Sequence, residues 1–174
     1  MTGRKVPEYQ GGFLLDGGVH FIAGLRLLLQ AAGDEVKQLA CFSTLLQERL
    51  PPIDSVHSIA STRGGVNGTI CLSFGTEFKS ALEMEVITTE GSVDWDTKDV
   101  TVVRRGASDE KVESRKAFGF DSGVKLEVSS FAKSIGPDGV PDPLQTPEEA
   151  LKDLQILQAL LESGEAKGSL KTLE

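Results

Sequence analysis

Seven short segments that read as strands, several with apolar residues at every second position, dominate the middle of this chain. They cover residues 35–43, 55–62, 69–74, 81–87, 92–96, 98–104 and 111–118. Period-two patterning marks half-buried strands, whose backbone groups must pair with a neighbour. The connections are short and carry turn residues, as in Arg63-Gly64-Gly65-Val66-Asn67-Gly68 and Glu90-Gly91. Tight turns join antiparallel neighbours, so a mostly antiparallel sheet is expected. Alternation puts Ile70, Leu72 and Phe74 on one face and turns Glu83 and Glu85 to water, while Val56 and Ile59 (with His57) are read as inside on residue type.

Helical spacing flanks this block. An apolar run from Phe13 to Leu29 carries Asp16, His20 and Arg26, and predicts a largely buried helix over about 16–32, stopped by Gly33. Residues 124–135 have apolar positions at helical spacing, ended by Gly136-Pro137. Thr146-Pro147-Glu148-Glu149 is a capping box with proline at the first helical position, and it opens a helix through Leu151, Leu154, Leu157 and Leu161 to Gly164. The resulting expectation is an α+β domain: an open, mostly antiparallel sheet with helices packed on one face, formed by residues 1–174 with a lead-in at 1–10 and a tail at 165–174. The other sheet face needs cover, and contact between copies in a homo-oligomer supplies it.

Charge narrows the partners. The chain has 174 residues and a formal net charge of −8, with no basic stripe, which argues against nucleic acid and anionic membranes. No apolar run is expected to span a bilayer, and no cleavage signal follows the first one. Cys41 and Cys71 stand singly in strand-like segments and read as reduced, buried thiols of a cytoplasmic protein. No spacing of His and Cys suggests a metal site.

The candidate chemistry sits in the first helix. Asp16 and His20 are four residues apart, hence on one face about one turn apart. A carboxylate there can orient an imidazole for general acid–base work, or the two can form a purely structural pair; the residues alone leave both readings open. Gly17 and Gly18 follow Asp16, where helix-start N–H groups can meet an anion, though close helix packing explains them equally well. Tyr9 stands just ahead and can line the same site. Gly64 to Gly68 superficially looks like a phosphate loop, but it joins two strands and reads as a hairpin turn. His57 and Trp95 read as structural residues.

The segment Pro7-Glu8-Tyr9-Gln10-Gly11-Gly12-Phe13-Leu14-Leu15-Asp16-Gly17-Gly18-Val19-His20-Phe21 resembles the start of the C-terminal domain of the Gfo/Idh/MocA oxidoreductases, fungal-type members in particular. The similarity runs on to Pro147-Glu148-Glu149-Ala150-Leu151-x-Asp153-Leu154 and Ser163-Gly164-Glu165. It implies a substrate-binding and oligomer-forming domain, with His20 as acid/base on a substrate hydroxyl or carbonyl and Asp16 contacting the substrate or orienting the site. It also implies an NAD(P)-binding Rossmann domain, whose GxGxxG and Glu-Lys-Pro motifs do not occur in this sequence. No cofactor is therefore expected on this chain unless another chain supplies that domain. Many members carry a second acid three residues past the histidine; Ala23 stands there. Two alternatives stay open: a cofactor-independent isomerase, dehydratase or cyclase of secondary metabolism using the same pair, and a non-catalytic oligomerising module.

Overall fold

The computed structural model describes residues 11–119, 121–137 and 139–173. Tyr9 lies outside them. The chain forms two compact units, one from residues 1–77 with 143–174, the other from residues 78–142.

In the first unit, α1 (Gly12–Ala31) precedes β1 (Val36–Thr44), β2 (Ser55–Thr62) and β3 (Asn67–Ser73); α3 (Pro147–Glu165) and β8 (Lys171–Thr172) close it. The sheet order is β3-β2-β1-β8 and every ladder is antiparallel. Leu39, Cys41, Val56, Ala60, Ile70 and Leu72 point to one face, where Leu157 and Leu160 of α3 and Leu14 and Ile22 of α1 complete the core. Each fully buried aliphatic side chain of this kind contributes about 1.5–3 kcal/mol. The same alternation sends His57, Ile59 and Cys71 to the other face, which neither described helix of this unit covers; Phe42 is exposed there as well. Ile59 is therefore not an inward residue, and Cys71 is exposed rather than buried. The register decides this: with Ile70 and Leu72 facing in, the residue between them faces out. Cys41 is buried as expected, and burial pushes its thiol up to about 11.

Two details explain why α3 lies against β1. Strand β8 is only two residues long, so it pairs with β1 only at Gln38 and Leu39. The Cys41 N–H donates instead to Ser163 Oγ at 2.8 Å, and that hydroxyl donates to the Ser169 carbonyl at 2.6 Å. At Gly164 an added Cβ would lie 2.5 Å from Ser43 Oγ, so the helix can come this close only without a side chain there.

The second unit holds β4 (Glu83–Ile87), β5 (Gly91–Asp96), β6 (Asp99–Arg105), β7 (Lys111–Ala117) and α2 (Val124–Ser134). Its four strands pair in sequence order, all antiparallel. Met84, Val86, Val93, Trp95, Val100 and Val102 share one face through their register, and Glu83, Glu85, Asp94 and Asp96 share the other. The seven expected strands thus form parts of two sheets, because β3 pairs only with β2 and β4 only with β5. No residue of α2 is buried.

Helix α1 begins at Gly12, one turn earlier than its sequence suggests. Gly11 caps it with a φ of 107°, and Gly12 has a φ of 48° with an added Cβ only 2.2 Å from the Pro51 carbonyl oxygen. Only glycine tolerates both demands. At the other end, Gly33 N–H donates to Gln30 and Asp34 N–H to Leu29, the paired bonds of a Schellman stop. The helix is also less buried than expected: Leu14, Gly18 and Ile22 are its buried residues. Its other side, with Ala23 and Leu27, is exposed and adds to the apolar count. By length and composition α1 therefore passes as long and apolar enough to cross a membrane, contrary to the expectation. Here its buried face packs on α3 and β3.

The α1–α3 contact is sealed by charge. Arg26 donates to Asp153 Oδ1 and Glu149 Oε2, each at 2.5 Å, and to the Glu149 carbonyl at 2.9 Å. Glu149 also accepts from Lys152 at 2.6 Å and Gln30 at 3.2 Å. Thr146 caps α3 by accepting the Glu149 N–H at 3.3 Å, while the Glu149 carboxylate serves α1. Bonds from Lys152, then Arg26 and Gln30, hold the Glu149 carboxyl down at about 2. Burial pulls the Arg26 guanidinium down, but its bonds to Asp153 and Glu149 outweigh that and raise it.

Two outcomes follow for stability. Ser163→Ala leaves the buried Cys41 N–H without its acceptor and should cost about 1–3 kcal/mol, read as a lowered urea midpoint. Because Glu149 is depressed in the folded state, its stabilisation is complete above about pH 4.5 and is lost as pH falls toward about 2. Glu149→Gln should lower Tm at pH 7, and the gap from the unmodified chain should close across that acid window; a gap independent of pH would refute the assignment.

Candidate active site

The rotation of α1 about its axis determines what its polar residues can do. With Leu14, Gly18 and Ile22 against the core and Arg26 clasping α3, Asp16 and His20 are left on the exposed side. They stand one turn apart on that face, together with Ala23 and Leu27. The structure thus brings Asp16 and His20 to one surface, as their spacing predicts. It carries them on a regular helix, and helices hold functional groups more rigidly than loops.

Gly17 and Gly18 lie in the second turn rather than at the helix start, so their N–H groups belong to the helical ladder. Their structural roles are specific. An added Cβ at Gly18 would meet Leu157 Cδ2 at 3.2 Å and Leu72 Cδ1 at 3.4 Å. At Gly17 it would sit 2.7 Å from the Cζ of Phe74. Gly17 therefore opens a slot into which the Phe74 ring fits.

Phe74 packs against the core and fills that slot, a contact that sequence reasoning missed. It follows β3, and its ring meets Phe13 edge-on at 5.1 Å and Phe21 at 6.2 Å between centroids. Phe13, Gly17 and Phe21 are spaced i, i+4, i+8, so they form one stripe of α1 beside the Asp16–His20 stripe. The signal lay in that spacing: an aromatic pair with a glycine midway leaves room for a third ring.

Phe74 is held in place by Asp54, a fully buried carboxylate whose backbone carbonyl accepts the Phe74 N–H at 2.9 Å. The Asp54 carboxylate accepts from Leu46 N–H, Gln47 N–H and Ser55 Oγ, so the loop between β1 and β2 is tied to the end of β3. Ser55 and Ser73 hydroxyls meet at 2.6 Å across the β2–β3 ladder just before it ends.

The glycine turn after β2 is a hairpin turn, as expected, and it already contains an anion. Asp34 Oδ1 accepts the Gly64 N–H at 2.9 Å, and an added Cβ at Gly64 would lie 2.7 Å from Asp34 Oδ2. Bonds from Thr62, Gly64 and Glu35 hold the Asp34 carboxyl below the usual carboxylate range. A nucleotide phosphate does not fit a cradle that the chain's own carboxylate fills. Among the described residues, no group of three or more His, Cys, Asp or Glu side chains could hold a metal ion.

Comparison with known proteins matches this architecture. A dehydrogenase of Fusarium mangiferae is 47% identical over 171 residues, covering 98% of this chain and 49% of that protein. The crystal structure of an oxidoreductase from Thermotoga maritima superposes with a TM-score of 0.77 at 25% identity, over 99% of this chain and 47% of that one. An inositol dehydrogenase homolog from Azotobacter vinelandii, crystallised with NADH and myo-inositol, shares the fold at a TM-score of 0.62 and 15% identity, over 91% of this chain and 49% of that one. The chain spans about half the length of these relatives. The model of the oxidoreductase-family C-terminal α/β domain matches residues 3–172, and the chain belongs to that family, Gfo/Idh/MocA, as its C-terminal domain.

Proposed function

We propose that this chain is the substrate-binding half of an NAD(P)-dependent oxidoreductase and that it handles the proton side of the reaction. The observation that carries the reading is the exposure of Asp16 and His20 together on the face of α1 turned away from the core. The His20 imidazole takes the proton from a substrate hydroxyl in oxidation, or returns one to the carbonyl oxygen in reduction. Asp16, one turn away, contacts the substrate or orients it. The relative from Fusarium mangiferae is named a dehydrogenase, and the Azotobacter vinelandii homolog was crystallised with NADH and a polyol. Both names support a hydroxyl-to-carbonyl reaction class for this chain.

Nicotinamide nucleotide fits none of the sites described above, since the glycine turn is filled by Asp34, so the chain is read as binding no nucleotide by itself. Titration with NADPH, followed by its fluorescence, should show no saturation at micromolar concentrations; tight saturable binding would overturn that part. With a relative's nucleotide-binding half supplied, His20→Ala should lower turnover by about 10²–10⁴-fold, the usual contribution of a positioned acid–base group. Unchanged turnover would remove His20 from the reaction.

A second role in self-association is supported by the uncovered face of the first sheet. Phe42 and Ile59 are 66% and 67% exposed there, a large apolar surface for a sheet facing water. Two copies packing through this face would cover it, and a cytoplasmic homo-oligomer is the assembly we infer. Sedimentation should show a dimer or larger species at micromolar concentration, and Phe42→Lys with Ile59→Lys should shift it to monomer. A chain monomeric throughout that range would refute this role.

A further inference from the structure

The face of the first sheet turned away from α1 and α3 carries a histidine on an inner strand. His57 lies on β2 and is exposed together with Phe42, Ile59 and Cys71. The ladders place Phe42 of β1 opposite it on one side and Cys71 of β3 on the other. Its diagonal neighbours on those strands are Ala40, Thr44, Thr69 and Ser73. Of these, Cys71 is the group that titrates, and a thiol gains no charge on acidification.

No carboxylate belongs to β1, β2 or β3. Their one permanently charged side chain is Lys37, at the bulge of β1, and a cation cannot stabilise an imidazolium. The carboxylate just ahead of β2, Asp54, is fully buried and accepts from the Leu46 and Gln47 N–H groups and from Ser55 Oγ. A face of this kind suits a second copy of the chain. Each copy has a formal net charge of −8, and this face brings no carboxylates of the two together. In an isologous contact the same patch serves both copies, so each His57 is met by groups of the same kind.

Resting on the self-association reading above, we propose that His57 is a pH switch on assembly: copies join through this face while the imidazole is neutral and separate as it takes up a proton. The sign follows from burial. An imidazole buried without a carboxylate holds its proton less well than a free one, so the assembly binds fewer protons than the separate copies. Association is therefore full above the ordinary imidazole value of about 6.5 and is lost as pH falls through it. At about pH 5.5 that value gives about a tenfold loss per copy, or about 10²-fold for two.

Sedimentation equilibrium from about pH 8 to about pH 5.5 tests this within the range in which an imidazole changes charge. The Glu149 carboxyl, held at about 2, titrates below that range, so the α1–α3 clasp stays intact throughout. The dissociation constant should rise about 10²-fold across it. His57 is exposed, so His57→Gln leaves the core untouched; that variant should assemble at the upper pH and keep its affinity at the lower. The other of the two histidines is His20, and His20→Gln should leave the pH response intact. Assembly of the unmodified chain with equal affinity at both ends of the range, or with higher affinity in acid, would overturn the proposal and leave self-association standing. A pH response that survives His57→Gln would overturn it in the same way. A chain that is monomeric at the upper pH at micromolar concentration would remove self-association and the switch together.

Discussion

The clasp of Arg26 on the first two turns of α3 is the interaction on which the arrangement of the first unit depends. A helix as apolar as α1 could roll about its axis at modest cost, since apolar contacts have little directional preference. Arg26 removes that freedom, because a planar guanidinium bonding two carboxylates and a carbonyl has one good orientation. Its side chain is only 12% exposed, so the pairing is not a solvent-screened surface bridge. Breaking such a pair by removing one partner costs several kcal/mol, as the remaining charge is stranded. Once Arg26 faces α3, Asp16 and His20 must face outward.

Two glycines then set the helix in place, by different means. Gly12 allows the chain to enter the helix in a left-handed turn against the Pro51 carbonyl, which fixes where the helix begins. Gly17 allows Phe74 to approach the helix axis, which fixes what lies next to the Asp16–His20 stripe. A methyl group at either position would collide with its neighbour, with backbone in the first case and ring carbons in the second. Fixing rotation, start and flank together makes Asp16 and His20 a defined surface feature.

Most of this architecture was legible in the sequence, and the exceptions have physical causes. The strands at 55–62 and 111–117 and the helix at 147–165 could be read from alternation, from the Thr146 cap and from proline at the first helical position. The division into two sheets could not, because period two reports which face a residue takes and carries no information on which strand it meets. Strand β8 is two residues long, too short for any pattern. The early start of α1 was hidden because glycine is a weak helix former, and tertiary contact with Pro51 overrode that preference. Cys71 and Ile59 were placed inward on residue type, although the alternation of Ile70 and Leu72 already turned Cys71 outward. That Asp16 and His20 share one exposed helix face was legible from their four-residue spacing. The Phe74 ring in the Gly17 slot was not, since Phe74 is far from Gly17 in sequence and reaches it only through the β2–β3 hairpin.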